Sequence, residues 1–168
     1  MASRSEVHEA LAAQLVQLVV SRLLDPLEIL LEAGNELREE VVARATDWAD
    51  QLLGPDDELA VHAAIRLVSV LYTSDGPFDP PAEWWRTPLG RVVARRVGHP
   101  AADAVSYSVA GAMLGITRQG VHDLIRRHKL DRHPNGGVTT ASVRARLDRA
   151  TGGPTQQVHN ATSTKDKP

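Results

Sequence analysis

A chain of 168 residues with 42% apolar and 24% charged side chains has the make-up of a folded globular protein, which excludes a wholly disordered or collagen-like chain. Its length predicts one core domain with a small module attached. The sequence has no cysteine, so disulfides, thiolate metal sites, iron–sulfur clusters and cysteine nucleophiles are ruled out, and with one Phe, two Tyr and three Trp the core must rest on Leu, Val, Ile and Ala.

Such a core suits packed helices, and the chain reads as mostly α. Ser5, with Glu6 and Glu9 in the first turn, opens an amphipathic helix with apolar positions Val7, Leu11, Leu15, Leu18, Val19 and Leu23. It is expected to end near Asp25 and Pro26. The run Leu11 to Val20 is interrupted by Gln14 and Gln17 and falls short of the roughly 20 apolar residues of a membrane span, so neither a membrane helix nor a signal peptide is expected. A second helical stretch runs from Pro26 to Ala33 and stops at Gly34-Asn35. A third, from Glu36 to Leu53, carries Leu37, Val41, Val42, Ala45 and Trp48 on one face before Gly54-Pro55. Asp56 and Asp57 then stand where carboxylates accept from free backbone N–H groups. The fourth helix, from Glu58 to about Tyr72, is apolar nearly all round and is expected at the buried centre of the bundle.

Thr73 to Pro81, with its turn residues and consecutive prolines, marks a connection. Trp84-Trp85 after it reads as a lid on the core edge in preference to a binding platform. Thr87-Pro88 caps a helix with the stripe Leu89, Val92, Val93 and Val97, ended by Gly98 and Pro100. Arg91 and Arg95 share its other face, pointing either to DNA phosphates or to the acidic N-terminal part. From Thr151 the composition is that of a disordered tail.

Charge is distributed unevenly. Residues 1–86 hold 6 Arg against 16 carboxylates, whereas residues 87–150 hold 11 basic side chains against 4 acidic ones. Such asymmetry points to a polyanion-binding module joined to a part with another task, the alternative being two surfaces that attract each other.

The module is Tyr107 to Leu147. A short helix ends at Gly115, and Thr117 caps a second helix whose inward positions are Val121, Leu124 and Ile125. Gly111 lets the two helices cross closely, Gly115 supplies a positive φ, and Ile116, Val121 and Leu124 lock the pair. After Leu130, two short strands around Asn135 to Gly137 make a wing, and Thr139 or Thr140 caps a last helix with Val143 and Leu147.

The run Leu114-Gly-Ile-Thr-Arg-Gln119, Val121, Leu124-Ile-Arg-Arg127 and Lys129-Leu130 resembles the MerR and excisionase type of winged helix-turn-helix domain. The resemblance covers only Tyr107 to Leu147, and Gly111 and Gly120 depart from the usual Ala and Thr. It implies a second helix in the major groove, with Thr117, Arg118, Gln119 and His122 toward base edges. Arg126, Arg127, Lys129, Arg132 and His133 would neutralise phosphates. The alternative for these side chains is an ordinary solvated face.

No cofactor is expected. His122, His128 and His133 with Asp131 match no metal-ligand spacing, and no phosphate loop, nucleophile elbow or His–Glu metal motif points to an enzyme. The expected organisation is an acidic helical bundle over 1–86, a basic helix and connection over 87–104, a winged helix-turn-helix over 105–150 and a tail over 151–168. The expected function is sequence-specific binding of double-stranded DNA by a bacterial transcriptional regulator, cytoplasmic and nucleoid-associated, dimeric through its N-terminal helices. The alternatives are an excisionase-like architectural protein and an adaptor whose acidic bundle holds a protein partner.

Overall fold

A computed structural model describes residues 3–31 and 36–151. The expected stop at Gly34-Asn35 and the expected disordered tail beyond Thr151 lie outside the described residues, Thr151 itself ending the last helix. The chain is mostly helical, with one two-stranded antiparallel sheet.

Helix α1, Arg4–Val19, begins two residues earlier than the Ser5 reading, because Ser3 and Glu6 form a capping box: each side chain accepts from the other's backbone N–H. The helix does not stop at Pro26. It passes through a π-helical segment, Val20–Leu24, into α2, Asp25–Leu31. Proline lacks an N–H and its ring crowds the carbonyl four residues back, here that of Arg22. The wide turn over Val20–Leu24, where Asp25 N–H reaches back to the Val20 carbonyl, lies where that conflict falls and lets the helix continue. By length and composition Arg4–Leu31 is apolar enough to cross a membrane, but its stripe Leu11, Leu15, Val19 and Leu24 faces the core of the bundle.

Helix α3, Glu36–Leu53, packs on α1 and α4, Asp57–Leu71, packs on α3. The buried stripe of α3 is Val41, Ala45, Ala49 and Leu52, while Leu37 and Val42, expected inside, are more than half exposed. The four buried residues sit four and three apart, and Val42 is rotated off that line. α4 also differs from expectation. Ala60, Ala63, Ala64, Leu67, Val68 and Leu71 are buried, but Leu59, Ile65 and Val70 are half exposed, since among the described elements α4 packs mainly on α3 and α5.

Asp56 caps α4 by accepting from Leu59 N–H. After α4, Tyr72, Phe78, Trp84 and Trp85 pack edge to face with centroids 4.9 to 6.3 Å apart. Trp84 Nε1 donates to the Tyr72 hydroxyl at 2.8 Å, and the Arg22 guanidinium lies 4.4 Å from the Tyr72 ring centre. The tryptophans form a 3₁₀ turn, Trp84–Arg86, and are buried, so they close the core as the sequence indicates.

Helix α5, Pro88–Arg96, starts on a Thr87 cap with Pro88 in its first turn. The Gln14 side chain accepts from Leu89 N–H at 2.8 Å, tying α1 to this start. Gly90 leaves no alternative: a Cβ there would lie 2.1 Å from the Trp84 carbonyl oxygen. Leu89, Val92, Val93 and Ala94 are buried, and α5 touches α1 and α4 on one side and α6 and α8 on the other. One apolar core therefore runs from Leu11 through α5 to Val143.

Candidate nucleic-acid interface

Beyond α5 the backbone is governed by caps and glycines. Ser106 caps α6, Tyr107–Leu114, by accepting from Val109 N–H, and Gly115 ends it at φ 68°. Ile116 N–H returns to the Gly111 carbonyl and Gly115 N–H to that of Ala112, the pairing that closes a helix through a left-handed residue. Gly111 is explained by the same turn. A Cβ at this position would meet the Ile116 carbonyl oxygen at 2.9 Å, so the commoner Ala would push the turn away from α6.

Thr117 caps α7, Arg118–Arg126, its hydroxyl accepting from Gly120 N–H at 3.1 Å. Val121 is fully buried against α6, with Ile116, Leu124 and Ile125 half-buried around it. Helix α7 closes as α6 does, Lys129 N–H returning to the Leu124 carbonyl at 2.8 Å. Here the left-handed position is His128, at φ 53°, a conformation that a non-glycine residue adopts at a cost.

The wing differs from the expected hairpin. Strand β2, Val138–Thr139, pairs with β1, Ala104–Val105, the segment before α6, and the residues flanking the Asn135 turn add only an isolated bridge between Arg132 and Val138. The reason is local. Gly136 and Gly137 both have positive φ, and a Cβ on Gly137 would sit 2.4 Å from the Val105 carbonyl, so β1 presses against the arm there. The arm is held by His133 N–H to the Gly137 carbonyl and Thr139 N–H to that of Asp131. Helix α8, Thr140–Thr151, follows, with Thr139 accepting from Ser142 N–H and buried Ser142 accepting from Asp131 N–H.

Arg118 and Gln119 lie exposed on the first turn of α7, their side chains making no hydrogen bond to the rest of the described chain. The Thr117 hydroxyl is also exposed but is occupied by its cap. His122 is less free: it is half-buried with its ring edge-to-face on Tyr107, centroids 4.5 Å apart. Arg126 is exposed, its guanidinium 3.8 Å from Asp123, and Arg127 and Lys129 are exposed beside it. Asp123 is thus placed toward Arg126. Arg132 is exposed on the arm, whereas the His133 ring accepts from Asn135 N–H and shapes the turn. Among the described residues, no group of His, Asp and Glu side chains is placed to hold a metal ion.

Sequence reasoning passed over the difference between Arg95 and Arg96. Arg96 is bound by Leu52, Gly54 and Asp57, while Arg95 has no such partners among the described residues. No local pattern announces contacts of that range.

Residues 82–148 match the family model described as the MftR C-terminal domain. That segment is similar to the C-terminal domain of a TetR-type transcriptional regulator. The match overturns the resemblance to MerR and excisionase domains: it begins at the tryptophan turn, takes in α5 and stops within α8, so it follows a unit larger than the helix pair that suggested the resemblance. The crossing of α6 and α7 and the paired arm are features of this chain's geometry and carry no such kinship. No curated protein and no solved structure matches the chain.

Proposed function

We propose that this chain is a transcriptional regulator that binds double-stranded DNA sequence-specifically through α7. The observation that carries the reading is the first turn of α7. The side chains of Arg118 and Gln119 project there without partners among the described residues, on a helix fixed from behind by fully buried Val121. Arginine is suited to guanine and glutamine to adenine by bidentate hydrogen bonding, each pair worth about 1 to 3 kcal/mol of discrimination. Thr117 and His122 flank that turn as further base-edge groups. Arg126, Arg127, Lys129 and Arg132, with His133 at the arm, supply the charge that engages phosphates and makes binding fall with salt.

The acidic residues 1–86 serve dimerisation or a protein partner in this reading. The surface that supports it is α2, where Ile29, Leu30 and Leu31 are 79%, 77% and 68% exposed. Two copies would present two α7 helices to two half-sites. The chain acts by binding, not by catalysis, and needs no cofactor.

The test is selection from a pool of random DNA duplexes by the intact protein and by the double variant Arg118→Ala, Gln119→Ala. An enriched motif that the variant loses is expected, in inverted repeat if the dimer forms. Salt-sensitive binding without any enriched motif would overturn sequence readout by α7.

A further inference from the structure

Arg95 and Arg96 are adjacent on α5 and differ in their partners. Arg96 uses each guanidinium nitrogen: Nε donates to the Leu52 carbonyl at 3.2 Å, Nη1 to Asp57 at 3.0 Å and Nη2 to the Gly54 carbonyl at 2.6 Å. Arg95 is also half-buried, yet among the described residues it has no hydrogen-bond or ion-pair partner. Burial, helped by the neighbouring Arg96 charge, holds its pKa below the ordinary arginine value, and Asp148 offsets this only in part. A cation withdrawn from water without an acceptor is destabilising, so its persistence asks what it faces.

It faces a cleft of about 430 Å³ where the bundle meets the helix pair. Val7, Leu53, Val92, Met113 and Leu114 give it apolar walls, and the Gly115 turn forms part of its edge. Arg91, one helical turn before Arg95, lies on the same side and is exposed. Glu6 also borders the cleft, its carboxylate held by Ser3 N–H. A mostly apolar cleft of this size with convergent charged groups has the character of a small-molecule site.

We propose that this cleft binds an amphiphilic anion, an aliphatic carboxylate whose head is taken by Arg95 with Arg91 and whose chain lies against Val7, Val92 and Met113. The guanidinium of Arg95 supplies the planar donor edge that matches a carboxylate, and its partial burial strengthens the pairing. The walls explain why a simple small anion is not sufficient: acetate satisfies the charge and leaves the apolar surface wet. Because the Gly115 turn borders the cleft, an occupant touches the element that orients α7, and any effect on DNA binding rests on the reading given above.

Calorimetric titration of the full chain with decanoate tests the site, with acetate, decanol and decyltrimethylammonium as comparisons, each ligand kept below its micelle concentration. Decanoate is expected to bind about tenfold or more tightly than any of the three. Arg95→Gln is expected to weaken decanoate by about tenfold while leaving the melting temperature unchanged or raised, since it removes an unpaired half-buried charge. A purely structural arginine would lower it. Val7→Asp, at a partly exposed wall position, keeps the fold and is expected to lose decanoate as well. Equal binding of decanoate and the cationic amphiphile, or undiminished decanoate binding by Arg95→Gln, would overturn the site. DNA affinity measured on the same samples separates the two claims: decanoate binding without DNA binding defeats only the α7 reading, and the converse defeats only the cleft.

Discussion

The two ends of the chain present opposite surfaces. Among the described residues, every large apolar side chain left exposed lies at or before Val70, from Val7 through Leu27, Ile29, Leu30, Leu31, Leu37, Val42, Leu59 and Ile65. From α5 onward none does, and the exposed faces carry Arg91, Arg118, Arg126, Arg127, Lys129 and Arg132 instead. The backbones differ in the same way. Side-chain caps occur in both parts, at Ser3 and Asp56 in the first and at Thr87, Ser106, Thr117 and Thr139 in the second, but the first is held by apolar stripes on long helices, whereas the described residues of positive φ, at 98, 115, 128, 136 and 137, all lie in the second. Long stripes leave surplus apolar surface, which is free for partners. Short helices set by turn chemistry leave their outer faces free for charge.

Breaking the joint between the parts should have the largest effect. Gly90→Ala puts a methyl onto the Trp84 carbonyl and close to Trp85 Cα, both backbone atoms that cannot rotate away. A loss of about 3 kcal/mol is expected in urea unfolding, with both parts melting together because one core spans them. Separate transitions for the bundle and the helix pair would show that α5 does not unite them.

A smaller effect, opposite in sign, should come from the second part alone. His128→Gly relieves the left-handed position that ends α7 and is expected to stabilise by about 1 kcal/mol. The same measurement on the bundle offers no equivalent, since among the described residues no other non-glycine has positive φ. A neutral or destabilising result would mean that the His128 ring contributes contacts worth as much as the strain.

What could be read from the sequence follows the range of the interaction that fixes each feature. Gly111, Gly115, Thr117 and Val121 were legible because their constraints lie within one helix pair, where spacing alone determines the turn and its cap. The passage of α1 through Pro26 was not, because a widened turn leaves no local composition signal. The pairing of β1 with β2 joins strands of two residues each across a span that includes α6 and α7. No periodicity can appear in two residues. Leu37 and Val42 were misplaced for a different reason: an apolar stripe shows which residues can be buried, but only the neighbours decide which are. The unlike roles of Arg95 and Arg96 depend on acceptors at Leu52, Gly54 and Asp57, on the far side of the connection.

The smallest effect sharpens the comparison at the place where the parts meet, and it is read as a slope against pH. His99 follows α5, with its ring centre 5.2 Å from that of Trp85 and 6.4 Å from that of Phe78. Burial among these rings disfavours the charged imidazolium and lowers the His99 pKa, while Asp79 works in the other direction without cancelling it. The folded state therefore takes up this proton at lower pH than the unfolded chain does. Stability from this group is present above the unfolded value of about 6.5 and declines as pH falls through it toward the folded pKa. Urea unfolding at a series of pH values from about 7.5 to about 5 should show wild type losing stability faster than His99→Phe, which keeps an aromatic ring and cannot titrate. Subtracting the two curves removes the other six histidines from the comparison. Parallel curves would mean that water reaches the ring in solution, and that the aromatic joint is looser than its buried tryptophans imply.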